Sequence, residues 1–236
     1  RECGAEVISF GFSETADVRA EKVALHPECI CVAADIRGTR TTYKIKAPGR
    51  HWARNSLAVL ATVDALGADL GLGALALGSL TPPDGRGRRH RVAGVDGHFT
   101  VIDDSYNASP ASVRAGLEVL GAADTTDGGR RIAVLGDMLE LGCDTDQLHA
   151  ELSTDIVDNG VDGVFTCGAH MRHLFDALPA GVRAGHAETS TDLAPIVSRY
   201  VGPGDIVLIK GSFASAMARV VEKLLTVETQ KRAVNG

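Results

Sequence analysis

The hydrophobic rhythm of the chain changes about a third of the way along. Up to residue 45 the apolar positions come in short β-rich runs: Glu6–Phe10, an alternating Val18–Leu25, Cys29–Asp35 and Thr41–Ile45. The last two are separated by Arg37-Gly38-Thr39, which reads as a hairpin turn. Ala47-Pro48-Gly49 then punctuates the chain. From Ala53 to Leu66 the period turns helical, with Leu57, Leu60, Ala61 and Leu66 along one face. A second, Ala/Leu/Gly-rich helix is predicted from about Leu72 to Leu80.

Thr81-Pro82-Pro83-Asp84-Gly85-Arg86-Gly87 is the strongest candidate boundary, dividing the chain into domains 1–82 and 83–236. Beyond it strands and helices alternate. The predicted strands are Phe99–Ile102, Arg131–Leu135, Gly163–Thr166, Val182–Gly185 and Asp205–Ile209. The predicted helices are Ala111–Leu120, Asp146–Asn159, Met171–Leu178, Thr191–Tyr200 and Ser215–Leu225. The strands are short, continuous and apolar, as expected where both faces of a sheet are covered. The fold class is therefore α/β, the second domain being a doubly wound, mostly parallel sheet.

In such a sheet ligands bind outside the carboxyl ends of the strands. Three of these ends are polar. Phe99–Ile102 empties into Asp103-Asp104-Ser105-Tyr106-Asn107-Ala108-Ser109, followed by Pro110 at a first helical position. Arg131–Leu135 is followed by Gly136-Asp137-Met138-Leu139-Glu140-Leu141-Gly142, and Asp205–Ile209 by Lys210-Gly211-Ser212-Phe213. Taken singly, an Asp or Ser here reads as a helix cap, a glycine as a tight turn, and Lys210 as a surface lysine. Taken together, three such ends on one sheet edge point to a cleft. The two carboxylates at 103 and 104 suggest acid–base work. His51 and Asn55 lie one helical turn apart near a helix start. The basic run Arg86 to Arg91 reads as an exposed linker, or as the source of a guanidinium for a phosphate or carboxylate.

Composition narrows the class. Of 236 residues, 44% are hydrophobic and 23% charged, which fits a core-forming protein, and only 4% are aromatic, so the core must be aliphatic. A net charge of −6 argues against a general nucleic-acid surface. The five cysteines fit no metal knuckle or disulfide framework and read as small hydrophobes in a reducing, cytoplasmic setting. No apolar run approaches the ~20 residues of a membrane span, so no membrane insertion is expected. The start, Arg1-Glu2-Cys3-Gly4, is no signal peptide and reads as a chain entered partway through a longer protein. His149 and His170-Met171-Arg172-His173 form no recognised metal set, and the chain has neither a P-loop nor a dinucleotide fingerprint.

Four stretches carry a resemblance. Gly49-Arg50-His51-Trp52-Ala53-Arg54-Asn55-Ser56-Leu57-Ala58 resembles the G-x-H-N-x-x-N-x-x-A signature of the Mur ligases. Asp104-Ser105-Tyr106-Asn107-Ala108-Ser109-Pro110 is similar to the D-S-Y-N-A-N-P stretch of the member that adds D-alanyl-D-alanine to a UDP-sugar tripeptide. Leu135 to Gly142 and Val207 to Ser212 resemble two further stretches of that member, in the same order.

The resemblance implies a three-domain amide ligase of peptidoglycan synthesis, using ATP and Mg2+. ATP would convert the tripeptide carboxylate to an acyl phosphate, which the dipeptide amine attacks. Residues 1–82 would be the last part of the central ATP-binding domain, and 83–236 the whole Rossmann-like third domain. The P-loop and the main magnesium ligands would lie in the missing N-terminal and central segments, leaving this chain inactive alone. The resemblance assigns His51, Asn55, Arg86, Asp104, Tyr106 and Asn107 to the nucleotide. It assigns Asn107, Asp137, Met138, Leu139, Glu140, Lys210 and Ser212 to the substrates, Asp104 and Lys210 to catalysis, and no residue to a metal. Trp52, Ser109 and Phe213 depart from the family pattern, which usually has Asn, Asn and Arg there. Another Mur or folylpolyglutamate-type ligase and a stand-alone, non-catalytic binding module are the alternative readings.

Overall fold

The structure, a computed structural model, describes Gly4 and residues 6–94, 97–125 and 128–234, with side chains as far as residue 226. The chain forms two compact units, Arg1–Thr81 and Pro82–Gly236. Each has its own core.

In the first unit a four-stranded sheet runs in the order β1 (Phe10–Gly11), β2 (Val18–Leu25), β3 (Ile30–Ile36), β4 (Thr39–Ile45). β1 pairs parallel to β2, and the other pairings are antiparallel. The hairpin turn is one residue shorter than expected. Ile36 pairs directly with Thr39, and Arg37 and Gly38 turn the chain with φ of 50° and 94°. Two consecutive positive φ values match the right-handed twist of the flanking strands. The strand expected over Glu6–Phe10 is reduced to its end, because the Ser9 N–H and Oγ bond the Asp17 carboxylate at 2.8 and 2.6 Å. Helices α1 (Arg50–Ala65) and α2 (Leu70–Gly78) close the core, with Leu57, Leu60 and Leu77 meeting Ile30, Val32 and Ile45.

The second unit is a six-stranded sheet flanked by helices on both faces. Its strands are β5 (Arg88–Ala93), β6 (His98–Asp104), β7 (Arg131–Gly136), β8 (Gly163–Cys167), β9 (Arg183–Ala187) and β10 (Ile206–Lys210). Their order in the sheet is β5-β6-β10-β7-β8-β9. All pairings are parallel except that of β5, which runs antiparallel to β6 at one edge. Helices α3 (Pro110–Gly121), α4 (Thr145–Asp158) and α5 (Met171–Ala177) cover one face, packing Leu117, Ile156 and Leu174 on Ile102, Leu135 and Leu208. Helices α6 (Ser190–Tyr200) and α7 (Ala218–Val234) cover the other, packing Val197 and Val220 on Val101, Val134 and Val207. The apolar strands are thus divided residue by residue between two cores.

The basic run 86–91 is not a linker. Arg88–Ala93 forms an edge strand paired along its length with His98–Asp103. Arg88 and Arg91 project from it into solvent, as charged residues do where an edge must not recruit another strand.

Candidate functional site

The strand order reverses at β10. The chain steps from β6 over to β7, continues outward to β8 and β9, and returns to insert β10 between β6 and β7. A reversal of this kind opens a crevice at the carboxyl ends of the strands. The three polar strand ends singled out in the sequence are therefore neighbours, with Lys210 in register with Asp104 on one side and Leu135 on the other.

Asp103 and Asp104 are consecutive on a strand, so they face opposite ways. Asp103 is buried and serves its own loops. Its carboxylate accepts from the Gly85 N–H at 3.0 Å, the Ser105 N–H at 3.2 Å and the Ser105 hydroxyl at 2.6 Å. Asp104 meets Lys210, whose Nζ donates to its Oδ2 at 2.6 Å and to the Asn107 carbonyl at 3.0 Å. Lys210 is only 3% exposed and is no surface lysine. Its stem runs beneath α3 at Gly116, where an added Cβ would stand 3.6 Å from the lysine Cδ and 3.2 Å from Leu208. Burial pushes the Asp104 carboxyl above its ordinary pKa, and the Lys210 ammonium, followed by its hydrogen bond, pulls the other way. Arg86 lies close enough to add a smaller downward pull. Ser109, not Asp104, caps α3. Its hydroxyl accepts from the Ser112 N–H, and Pro110 takes the first helical position.

The loop after β7 is tied from three directions. The Asp137 carboxylate accepts from the Met171 N–H at 2.7 Å at the start of α5. The Asp137 carbonyl accepts from the Ser212 N–H and the Ser215 hydroxyl, both at 2.9 Å. The Leu139 N–H donates to Ser212 Oγ at 2.9 Å. Met138 is fully buried among the α4 and α5 side chains, so that side chain belongs to the core. Leu139 and Glu140 are exposed, and Glu140 holds a left-handed φ of 63°. Gly168 must be glycine here: its φ is +104°, and a Cβ would fall 2.4 Å from Asp137 Oδ2.

Beside these groups a cleft of about 570 Å³ is lined by Asp137, Leu139, Gly168, Thr191, Ser215 and Arg219, among others. At the other side of β10, Arg86 lies over the Tyr106 ring at 4.2 Å, and Tyr106 meets Phe213 with centroids 6.0 Å apart. Phe213 is 77% exposed. Asp104, Tyr106, Asn107, Arg86, Asp137, Leu139, Glu140, Lys210 and Ser212 thus share the carboxyl edge of one sheet. His51 and Asn55 lie in the first unit, both exposed on α1, whose N-cap is Gly49.

Sequence reasoning missed three features. Thr191 and Arg219 line the cleft from the first turns of α6 and α7, and Ser215 from the short turn after β10, positions distant from one another in sequence. The division of labour between the two aspartates needed the strand register. His149 was read only as structural, yet it bonds the backbone of the β7 loop. Among the described residues no group of three or more His, Cys, Asp or Glu side chains is disposed to hold a metal ion. Among them also, no helix is long and apolar enough to cross a membrane. Cys143 is exposed and Cys29 and Cys31 half-buried, so only Cys167 of the described cysteines is the buried hydrophobe expected of all. Burial pushes its thiol pKa up to about 11.

A mostly parallel sheet with helices on both faces, and a charged pair and two polar loops at its strand reversal, places the second unit among the doubly wound α/β domains. Residues 87–213 match the family described as Mur ligase, glutamate ligase domain, and the chain belongs to that family. It is 29% identical to the UDP-N-acetylmuramoyl-tripeptide–D-alanyl-D-alanine ligase of Rickettsia prowazekii, over 92% of this chain and 46% of that protein. A crystal structure of MurF from Acinetobacter baumannii superposes with a TM-score of 0.77 at 25% identity, covering 92% of this chain and 46% of that one. A MurF ligase from Thermotoga maritima, solved in complex with ADP, shares the fold with a TM-score of 0.76 at 24% identity, over 94% and 49% of the two chains. The chain spans about half the length of the relatives it matches.

Proposed function

We propose that this chain is the C-terminal portion of an ATP-dependent ligase that adds D-alanyl-D-alanine to UDP-N-acetylmuramoyl-tripeptide in the cytoplasm. The observation that carries the reading is the adjacency of β6, β10 and β7. It brings the Asp104–Lys210 pair, the Tyr106-Asn107 loop and the Asp137–Glu140 loop to one crevice. The name of the Rickettsia relative supplies the substrate pair. Residues 1–82 would complete the central domain, and the P-loop and magnesium ligands would be supplied by segments outside this chain.

The reaction joins the dipeptide amine to an acyl phosphate. Nitrogen attacks the carbonyl carbon, the tetrahedral intermediate expels phosphate, and the amine loses its proton. A domain contributes to such a step chiefly by holding the amine in line, excluding water and stabilising charge. Arg86, Tyr106 and Asn107 would meet the nucleotide. Asp104 would hold the nucleotide side of the cleft with its charge set by Lys210. Asp137, Leu139, Glu140, Lys210 and Ser212 would form the acceptor side. Met138 would act from within the core by fixing that loop. Lys210 keeps its ammonium against Asp104 and the Asn107 carbonyl, so its contribution to catalysis would be a fixed positive charge and loop geometry.

Phe213 favours one second reading, a sister ligase with another acceptor, because it puts an apolar ring where the family usually places an arginine. The test uses the full-length parent with ATP, Mg2+ and UDP-N-acetylmuramoyl-tripeptide. Phosphate release should depend on D-alanyl-D-alanine and exceed that with any single amino acid. A better response to a single amino acid would transfer the assignment to a sister ligase.

A further inference from the structure

The imidazole of His149 has a protonation state that its two neighbours dictate. It lies on α4 and is fully buried. Its Nε2 stands 2.9 Å from the Met138 backbone nitrogen, which can only donate. Its Nδ1 stands 2.6 Å from the Thr145 carbonyl oxygen, which can only accept. One form satisfies both: the neutral ring with its proton on Nδ1. A second proton, on Nε2, would set two N–H donors against each other. Burial lowers the pKa of the ring. The Thr145 bond and the charges of Asp137 and Asp146 oppose that shift, and His170 adds to it.

We propose that His149 is a positioning residue for the acceptor loop: its neutral ring ties Met138 to α4, and protonation releases the loop. The inference rests on the reading of residues 137–140 as acceptor-binding. The neighbours of Met138 already have partners. Asp137 is fixed to α5 and to the β10 loop, and Leu139 to Ser212. The Met138 N–H, between them, is held by His149. Loss of that bond would leave a buried donor unsatisfied at the centre of the loop. The charged and titratable groups around the ring are Asp137 on the loop, Asp146 on α4, and His170 at the start of α5, its ring 5.7 Å away. Asp146 is already engaged by His170 at 2.8 Å and His173 at 3.3 Å.

The experiment uses the full-length parent and two readouts: hydrogen exchange of the Met138 amide, and KM for D-alanyl-D-alanine against kcat. His149→Ala should speed exchange about tenfold and raise KM by about as much, the effect of one lost hydrogen bond, with kcat changed far less. His149→Gln, whose Oε1 can accept from the Met138 N–H, should restore both. The natural protein's KM should rise as pH falls through the lowered pKa of the buried ring, which lies below the ordinary histidine value of about 6.5, and the His149→Gln protein should lose that limb. Unchanged Met138 exchange in His149→Ala would overturn the clamp. So would the same acid limb in natural and His149→Gln proteins. If the parent turns out not to ligate D-alanyl-D-alanine, the acceptor reading fails, while the exchange measurement still decides whether His149 holds the loop.

Discussion

At the scale of single residues, two adjacent aspartates do different things because a strand alternates. Asp103 is fully engaged by backbone and hydroxyl donors, whereas Asp104 depends on one lysine. Removing that lysine strands a partly buried carboxylate. Lys210→Met should therefore cost about 3 kcal/mol, read from the midpoint of urea unfolding at pH 7. The double change Asp104→Asn with Lys210→Met should cost less than Lys210→Met alone. A second prediction concerns acid. His149 is held neutral with a lowered pKa in the folded protein and titrates near 6.5 when unfolded. Between those values the unfolded chain binds more protons, so stability falls as pH drops from about 6.5 through the lowered value. Urea midpoints between pH 7.5 and 5 should show the decline, and His149→Gln should flatten it. The sequence made Asp104, Asn107 and Lys210 conspicuous as polar groups at strand ends. It could not show that Lys210 is buried, since burial depends on Gly116 giving α3 room to lie over it.

At the scale of elements, the periodic pattern located the parallel strands and their helices to within a few residues, because each strand is apolar on both faces; the exception is the end of α7, expected at Leu225 and found at Val234. It failed where an element has one face or none to bury. β5 carries three arginines and a histidine in its first four positions and offers just one fully buried apolar residue, Val92, so it read as a linker. The run before Phe10 had the right residues for a strand but turned its Ser9 donors to Asp17. Caps were easier to read, since Ser109-Pro110 is a local signal. Ser109→Ala should cost about 1 kcal/mol of stability by chemical denaturation, with little change in the sheet. Gly168→Ala is a harsher case, combining a left-handed backbone with a Cβ inside the Asp137 carboxylate. It should cost about 2–3 kcal/mol and speed hydrogen exchange at Met171, whose N–H Asp137 holds.

At the scale of the molecule, the three apolar cores do not share residues across Thr81. One draws on Val18 to Leu77, and the other two on Val92 to Leu224. A chain of residues 82–236 should therefore fold by itself, with the far-ultraviolet dichroism of an α/β sheet and a cooperative thermal transition. Loss of cooperativity would mean that the first unit contributes to that fold. The prolines and glycines of residues 81–87 stand at the division between the two compact units, and the sheet was legible through the alternation of strands and helices. Strand order lay beyond it, because no local pattern says that the last strand returns to the middle.

That return has a consequence for how the protein is born. Lys210 pairs with Leu135 and Asp104, which leave the ribosome long before it. At roughly 5–20 residues per second, β6 and β7 wait on the order of several seconds with facing backbone groups unpaired. Throughout that interval the nascent chain carries a gap in the shape of a strand, open to any extended apolar segment nearby. The crevice with its charged pair exists only after that gap is filled. A message broken before β10 would yield a sticky half-sheet with no site, a natural client for chaperones.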